Sequence, residues 1–183
     1  MKSNSMNKYF IILLVFALWA CHDQQNQADN KNVFFSSKKE FKQNMIASHQ
    51  NYLQIEKARI DAYIDSLGAP FQKSGTGLRT YIYATDSLSS DRVKRGDVAV
   101  VQYTLSLLNG EEIYATEEGK FQEFLVDFDD VERGLHEGIK QLTVGDKAIF
   151  ILPAHMAHGI TGDQIQIPPQ STIVYDVQLI AKR

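Results

Sequence analysis

The sequence predicts an α+β domain preceded by a helical arm. Three observations carry that reading. Residues 37–67 place apolar side chains at helical spacing. From Leu78 onward the apolar period changes to two. Among those strand-like runs stands a single short helical segment, Val131 to Gln141. Many antiparallel strands around one short helix make an α+β layer structure. The 183 residues suffice for one compact domain plus an appendage. Hydrophobic residues make up 44% and charged residues 22%, which excludes wholesale disorder and collagen-like repeats. Nineteen Lys and Arg against 22 Asp and Glu leave no basic excess to attract a phosphate backbone, so no nucleic-acid partner is expected. The lone cysteine, Cys21, excludes an internal disulfide and a multi-cysteine metal site.

Residues 1–20 read as a leader. Lys2 and Lys8 precede an apolar run from Tyr9 to Ala20 that is short for a membrane span. A buried helix would need a core around it, yet His22 to Asn32 is almost wholly polar. The run ends in Leu18-Trp19-Ala20-Cys21, which resembles a bacterial lipobox, with Trp19 as a departure. The expectation is a lipoprotein signal peptide with Cys21 acylated. Ordinary leader cleavage that leaves a stray thiol is the alternative. Several acyl chains anchor a protein stably where one does not. The expected location is the cell envelope, at the outer membrane and facing the periplasm. Residues 21–36 read as a disordered tether of at most ~3.5 Å per residue.

Residues 37–77 read as a helix and connector. Ser37 and Glu40 fit a capping box, and Gly68 and Pro70 close the far end. Ile60, Tyr63, Ile64 and Leu67 form one face. Ile46, Leu53, Ile60 and Leu67 also recur every seventh residue, but the companion positions, His49 or Gln50 and Glu56 or Lys57, are polar. The helix is therefore expected to pack on its own domain, with a homodimer through residues 37–67 as the alternative. Residues 78–183 form the domain. Strands are expected over Arg79–Tyr83, Val98–Leu108, Glu112–Ala115, Phe121–Val126, Ala148–Leu152 and Thr172–Ile180, with Asn109-Gly110 as a hairpin turn.

Several constellations favour plain readings. His155 and His158 have a metal-like spacing, yet no cysteine or acid joins them nearer than Asp163. Asp127, Asp129 and Asp130 lack the glycine and terminal glutamate of a calcium loop and read as a solvated turn. Gly75-Thr76-Gly77 is too short for a phosphate loop. No metal or cofactor is expected. Tyr103, Phe124 and Tyr175 on their own read as core aromatics.

The order of motifs from Arg92 to Lys182 resembles an FKBP-type peptidyl-prolyl isomerase domain. The matching pieces are Lys94-Arg95-Gly96-Asp97, Val100-Val101-Gln102-Tyr103-Thr104, Leu108-Asn109-Gly110 and Phe124. Val131-Glu132-Arg133-Gly134-Leu135-His136-Glu137-Gly138 and Leu142-Thr143-Val144-Gly145-Asp146-Lys147-Ala148 follow. His158-Gly159, Ile167-Pro168-Pro169 and Thr172-Ile173-Val174-Tyr175-Asp176-Val177 close the series. With the helix and Gly75-Thr76-Gly77-Leu78 ahead of it, the chain also resembles FKBP-like lipoproteins associated with gliding motility.

The resemblance implies a curved antiparallel sheet over one short helix, with an apolar pocket between them. It implies isomerisation of Xaa-Pro bonds in polypeptide substrates, here exported proteins. Tyr103, Phe124, Val131, Ile167 and Tyr175 match pocket positions, and Ile113 falls where an aromatic is common. Glu132 stands where the backbone N–H holds a substrate carbonyl, so its side chain is expected to matter little. Leu135 replaces a tryptophan floor. His158 replaces a tyrosine and is expected to donate a neutral imidazole N–H. Tyr114 replaces a pocket aspartate. These departures imply reduced activity. They leave open a binding module that holds proline segments without turnover, or a chaperone or scaffold.

Overall fold

The computed structural model describes residues 6–85 and 90–183, the side chains of 6–36 excepted. The side chains of Lys8 and Cys21, and Lys2 altogether, lie outside that range, and with them the lipobox. Helix α1 runs Met6–Leu67. The chain divides into two compact units, one ending at Leu53 and the other comprising Gln54–Arg183. The last turns of α1 belong to the second.

The helix does not begin at Ser37 as expected, and the capping box is not formed. Residues 6–67 contain neither glycine nor proline. A Gln-, Asn- and Lys-rich stretch lowers helix propensity only slightly, so polarity alone does not stop a helix. The far end follows expectation. Gly68 adopts φ +61°, and its N–H bonds the Ile64 carbonyl at 3.2 Å.

The second unit is built on a seven-stranded antiparallel sheet. Its strands are β1 (Gln72–Lys73), β2 (Arg79–Ala84), β3 (Val98–Leu107), β4 (Glu112–Ala115), β5 (Gln122–Leu125), β6 (Lys147–Leu152) and β7 (Ile173–Lys182). The spatial order is β1-β2-β6-β7-β3-β4, and β5 also pairs with β3. On one edge β3 holds β7 along its length. On the other it holds β5 at Val98–Val101 and β4 at Thr104–Ser106. Helix α2 (Arg133–Ile139) is the short helix expected from the sequence. Two elements were not expected, the two-residue β1 and a 3₁₀ turn at Ala154–Met156.

The end of β6 and the start of β7 are covered on both faces. Phe150, Leu152, Tyr175 and Val177 point into the main core with Leu135 and Ile139 of α2. The alternating residues Ile151 and Val174 point the other way and pack with Ile60, Tyr63 and Ile64 of α1. This is why Lys147–Leu152 reads as a nearly continuous apolar run instead of an alternating one. Leu67, expected on the same helical face, is 42% exposed. Glu56 reinforces the packing. It is buried, and its Oε1 accepts the Ala154 N–H at 2.7 Å and the Thr172 hydroxyl at 2.9 Å. Asp61 binds the buried Arg79 guanidinium at 3.1 Å. In the first unit Phe41, Met45, Ile46 and Leu53 are exposed.

Two glycines let α2 lie directly on β6. A Cβ on Gly134 would sit 2.3 Å from Leu152 Cγ, and one on Gly138 would sit 2.7 Å from Phe150 Cε2. Gly134→Ala gains about 1 kcal/mol of helix propensity. Overpacking against Leu152 opposes that gain and costs about 1–3 kcal/mol. The expected net result is destabilisation, read as a lower urea midpoint with an unchanged m-value.

Candidate active site

The N-terminal end of α2 faces the concave side of the sheet across a cavity of about 460 Å³. That volume lies within the ~300–1,000 Å³ of small-molecule and peptide-side-chain sites. Val101 and Tyr103 reach it from β3, Gln122 and Phe124 from β5, and Tyr175 from β7. Asp130 to Arg133 and Leu135 form the α2 side, and Ala157 and His158 follow the 3₁₀ turn. Phe124, Leu135 and Tyr175 are buried. The Tyr103 and Tyr175 rings meet edge to face at 5.3 Å.

Of the ten residues singled out in the sequence, Tyr103, Phe124, Val131, Glu132, Leu135, His158 and Tyr175 line this cavity. Ile113, Tyr114 and Ile167 are not among its walls. Ile113 and Tyr114 are partly buried against the main core, and Ile167 is buried within it. Val101, Gln122, Asp130, Arg133 and Ala157 were missed. Gln122 was within reach of the sequence, since it stands two residues from Phe124 on β5 and so shares its face.

Glu132 corrects an expectation. It occupies the N-cap of α2 with φ −60° and ψ 138°, but its side chain makes no cap hydrogen bond. The carboxylate turns to the cavity instead. Oε2 accepts the Tyr175 hydroxyl at 3.0 Å, and Oε1 lies 2.8 Å from His158 Nε2. The side chain therefore joins β7, α2 and the segment after the 3₁₀ turn. Among the described residues no acceptor takes the Glu132 backbone N–H. Burial pushes the Tyr175 hydroxyl well above its ordinary value, helped by the Glu132 charge and hydrogen bond. Burial, then the Glu132 charge, also raises Tyr103. Both phenols stay protonated at neutral pH.

In the sequence His136 is simply one residue of the Val131–Gly138 motif. It is buried, with its ring edge to face with Phe124 at 5.6 Å. Nδ1 accepts the Asp127 N–H at 3.0 Å, which leaves Nε2–H to donate to the Asp129 carbonyl at 3.1 Å. The acidic turn is accordingly put to structural use. Asp127, at φ +66°, binds Lys140 at 2.7 Å, and Asp129 accepts the Leu125 N–H at 2.7 Å. Among the described residues no group of three His, Cys, Asp or Glu could hold a metal. His155 bonds the Thr76 carbonyl, away from His158.

Tyr114 finds its acid elsewhere. Its hydroxyl donates to Asp163 Oδ2, in the loop between the 3₁₀ turn and β7. Asp163 Oδ1 accepts the N–H groups of Ile165, Gln166 and Ile167 at 2.9, 2.9 and 2.7 Å. Burial raises the Asp163 carboxyl, but the Tyr114 hydroxyl and these three N–H groups outweigh it. The group is held well below the usual carboxylate range.

The family model for FKBP-type peptidyl-prolyl cis-trans isomerase matches residues 89–180. The chain belongs to this family. Peptidyl-prolyl cis-trans isomerase FKBP1A of Xenopus laevis is 35% identical over 88 residues, which are 48% of this chain and 82% of that protein. Peptidyl-prolyl cis-trans isomerase FKBP9 of Rattus norvegicus is 31% identical over 88 residues, 48% of this chain and 15% of that protein. The FKBP-like α+β fold and the isomerase activity of the family agree with the sheet, the short helix and the cavity between them.

Asp163→Asn is expected to lower the thermal midpoint at pH 7 by several degrees. A carboxyl depressed in the folded state stabilises above its unfolded value of about 3.9. The difference from wild type should therefore persist through mildly acidic pH and close only as pH falls below about 4. Thermal melts of both proteins between neutral and strongly acid pH check this.

Proposed function

We propose that the chain is a lipid-anchored prolyl isomerase that acts on exported polypeptides in the cell envelope. Cys21 carries the anchor, and a proline-containing segment enters the cavity. The observation that carries the catalytic reading is the cavity itself, walled by Tyr103, Phe124, Val131, Leu135 and Tyr175. Resonance of the peptide C–N bond sets a barrier of ~18–20 kcal/mol. The planar amide is the more polar form, and water favours it. A cavity that strips the water favours the twisted amide, so catalysis needs only tighter binding of that state. A ten-thousandfold acceleration requires about 5.5 kcal/mol of such preference. The untaken Glu132 N–H supports a role in holding a substrate carbonyl. Leu135 keeps the floor apolar without an aromatic ring.

Xaa-Pro isomerisation takes tens of seconds or longer uncatalysed, long enough to delay the folding of exported chains. An assay on a short Xaa-Pro peptide tests the activity. Micromolar protein should raise the rate well above that of buffer. Val131→Ser, which wets one wall, should lower kcat/KM about tenfold, equivalent to ~1.4 kcal/mol, with little change in thermal midpoint. A rate equal to that of buffer at every protein concentration would refute the reading. The anchor is checked separately. Wild-type protein should partition into detergent-extractable membrane and Cys21→Ala into the soluble fraction. Equal partitioning of the two removes the lipid anchor.

A further inference from the structure

We infer that the loop between the 3₁₀ turn and β7 extends the cavity into a docking surface for uncharged, apolar stretches of non-native polypeptide, with Ile160 and Ile165 as its contacts. The inference rests on the isomerase reading and names the substrate class of that site. Ile160 and Ile165 are 77% and 81% exposed, more than any other large apolar side chain whose exposure is described. Single apolar residues scattered over a surface would need no explanation. These two stand on one loop whose backbone is fixed. The Gln170 N–H bonds the Gly159 carbonyl at 2.9 Å, and the Asp163 N–H bonds the Ile167 carbonyl at 3.3 Å. Asp163 gathers the N–H groups of Ile165, Gln166 and Ile167 and accepts the Tyr114 hydroxyl. Ile167 roots the loop in the main core. At Gly162 φ is +66°, and a Cβ would sit 2.1 Å from the Ile167 carbonyl oxygen, so this backbone requires glycine. A preordered loop loses little conformational freedom on binding.

The occupant follows from where the loop starts and from its chemistry. It leaves the cavity wall at Ala157 and His158, and Ile160 follows two residues later, within about 7 Å of chain. A polypeptide held by its proline in the cavity continues beyond the rim from which the loop rises. Between Gly159 and Gln170 the one ionisable side chain is Asp163, whose carboxylate is taken up by Tyr114 and the loop's own N–H groups. The exposed loop therefore offers isoleucine and neutral polar groups, in a chain of which 22% is charged. That surface suits apolar residues of a chain that has not yet folded and offers nothing to a charged segment. Folded proteins bury most such residues, so the contact separates unfolded from folded clients. The loop also lacks the Lys or Arg that would favour an anionic lipid surface.

The test compares full-length wild type with the Ile160→Ser/Ile165→Ser and Ile160→Leu/Ile165→Leu double variants on two substrates. One is a short Xaa-Pro peptide with serine flanks, its exchange followed by NMR. The other is an unfolded, disulfide-free protein whose refolding waits on a cis Xaa-Pro bond. The serine variant should lose roughly tenfold in kcat/KM on the protein substrate, through KM with kcat kept. Its kcat/KM on the peptide and its thermal midpoint should match wild type. The leucine variant, which keeps the apolar surface, should match wild type on both substrates. An unchanged KM of the serine variant on the protein substrate would overturn the inference, and weakened binding to phosphatidylcholine vesicles alongside it would assign the loop to a lipid surface instead. An equal loss on the peptide would also overturn it, because the loop would then act by shaping the cavity. If wild type accelerates neither substrate, the isomerase reading fails. Fluorescence anisotropy with the permanently unfolded protein then decides the docking surface: about tenfold weaker binding by the serine variant upholds it, and equal binding removes it.

Discussion

The close approach of α2 to β6 is the constraint on which the rest of the domain depends. Gly134 and Gly138, one turn apart, bring the helix backbone down onto Leu152 and Phe150. Seating the helix there fixes where its N-terminal end emerges. Glu132, Val131 and Asp130 then overhang the concave side of β3, β5 and β7 and do not pack flat upon it. The cavity is the space left between that overhang and the sheet. Side chains larger than glycine at the contact would lift the helix and change the height of the cavity along with the packing.

A cavity under such an overhang could be wholly apolar, and most of its deep walls are. Phe124, Leu135 and Tyr175 exclude water, and Tyr103 stacks edge-on against Tyr175. Into this environment Glu132 brings a carboxylate. A buried charge is tolerated only where its lone pairs are met, and here a phenol meets one oxygen and an imidazole the other. The same contacts anchor Tyr175 and His158 in place. Tyr175 therefore belongs to both, its ring to the apolar wall and its hydroxyl to the polar group with Glu132 and His158.

Much of this was legible before any coordinates. The change of apolar period at Leu78, the Asn109-Gly110 turn and the β-branched run at the C-terminus located β2, β3, β4, β6 and β7 to within a residue or two. Seven of the ten singled-out residues share one cavity because motif order carries information about spatial neighbours. The start of α1 was not legible, since a polar run without glycine or proline carries no stop signal. Glu56 was also hidden. It sat at a polar heptad position, and only the fold shows that Ala154 and Thr172, about a hundred residues away, need an acceptor there. The Glu132 side chain escaped for a similar reason, because its partners come from two segments distant in sequence.

The Tyr114–Asp163 contact shows how one chemical pairing can move between elements. The resemblance places an acid on β4 and a tyrosine after the 3₁₀ turn. This chain has Tyr114 on β4 and His158 after the turn, and each has found a carboxylate. Asp163 serves Tyr114 while gathering three backbone N–H groups of its own loop, and Glu132 serves His158 from the start of α2. The loop is thereby tied to β4 through the tyrosine, by two residues that are not themselves among the cavity's lining. The acids that line the cavity, Glu132 and Asp130, come instead from the N-cap of α2 and the turn before it. Substitution at one pocket position is thus offset at others. The departures from the family pattern read better as a linked set than as separate losses, because each polar group placed beside the core brought its own partner.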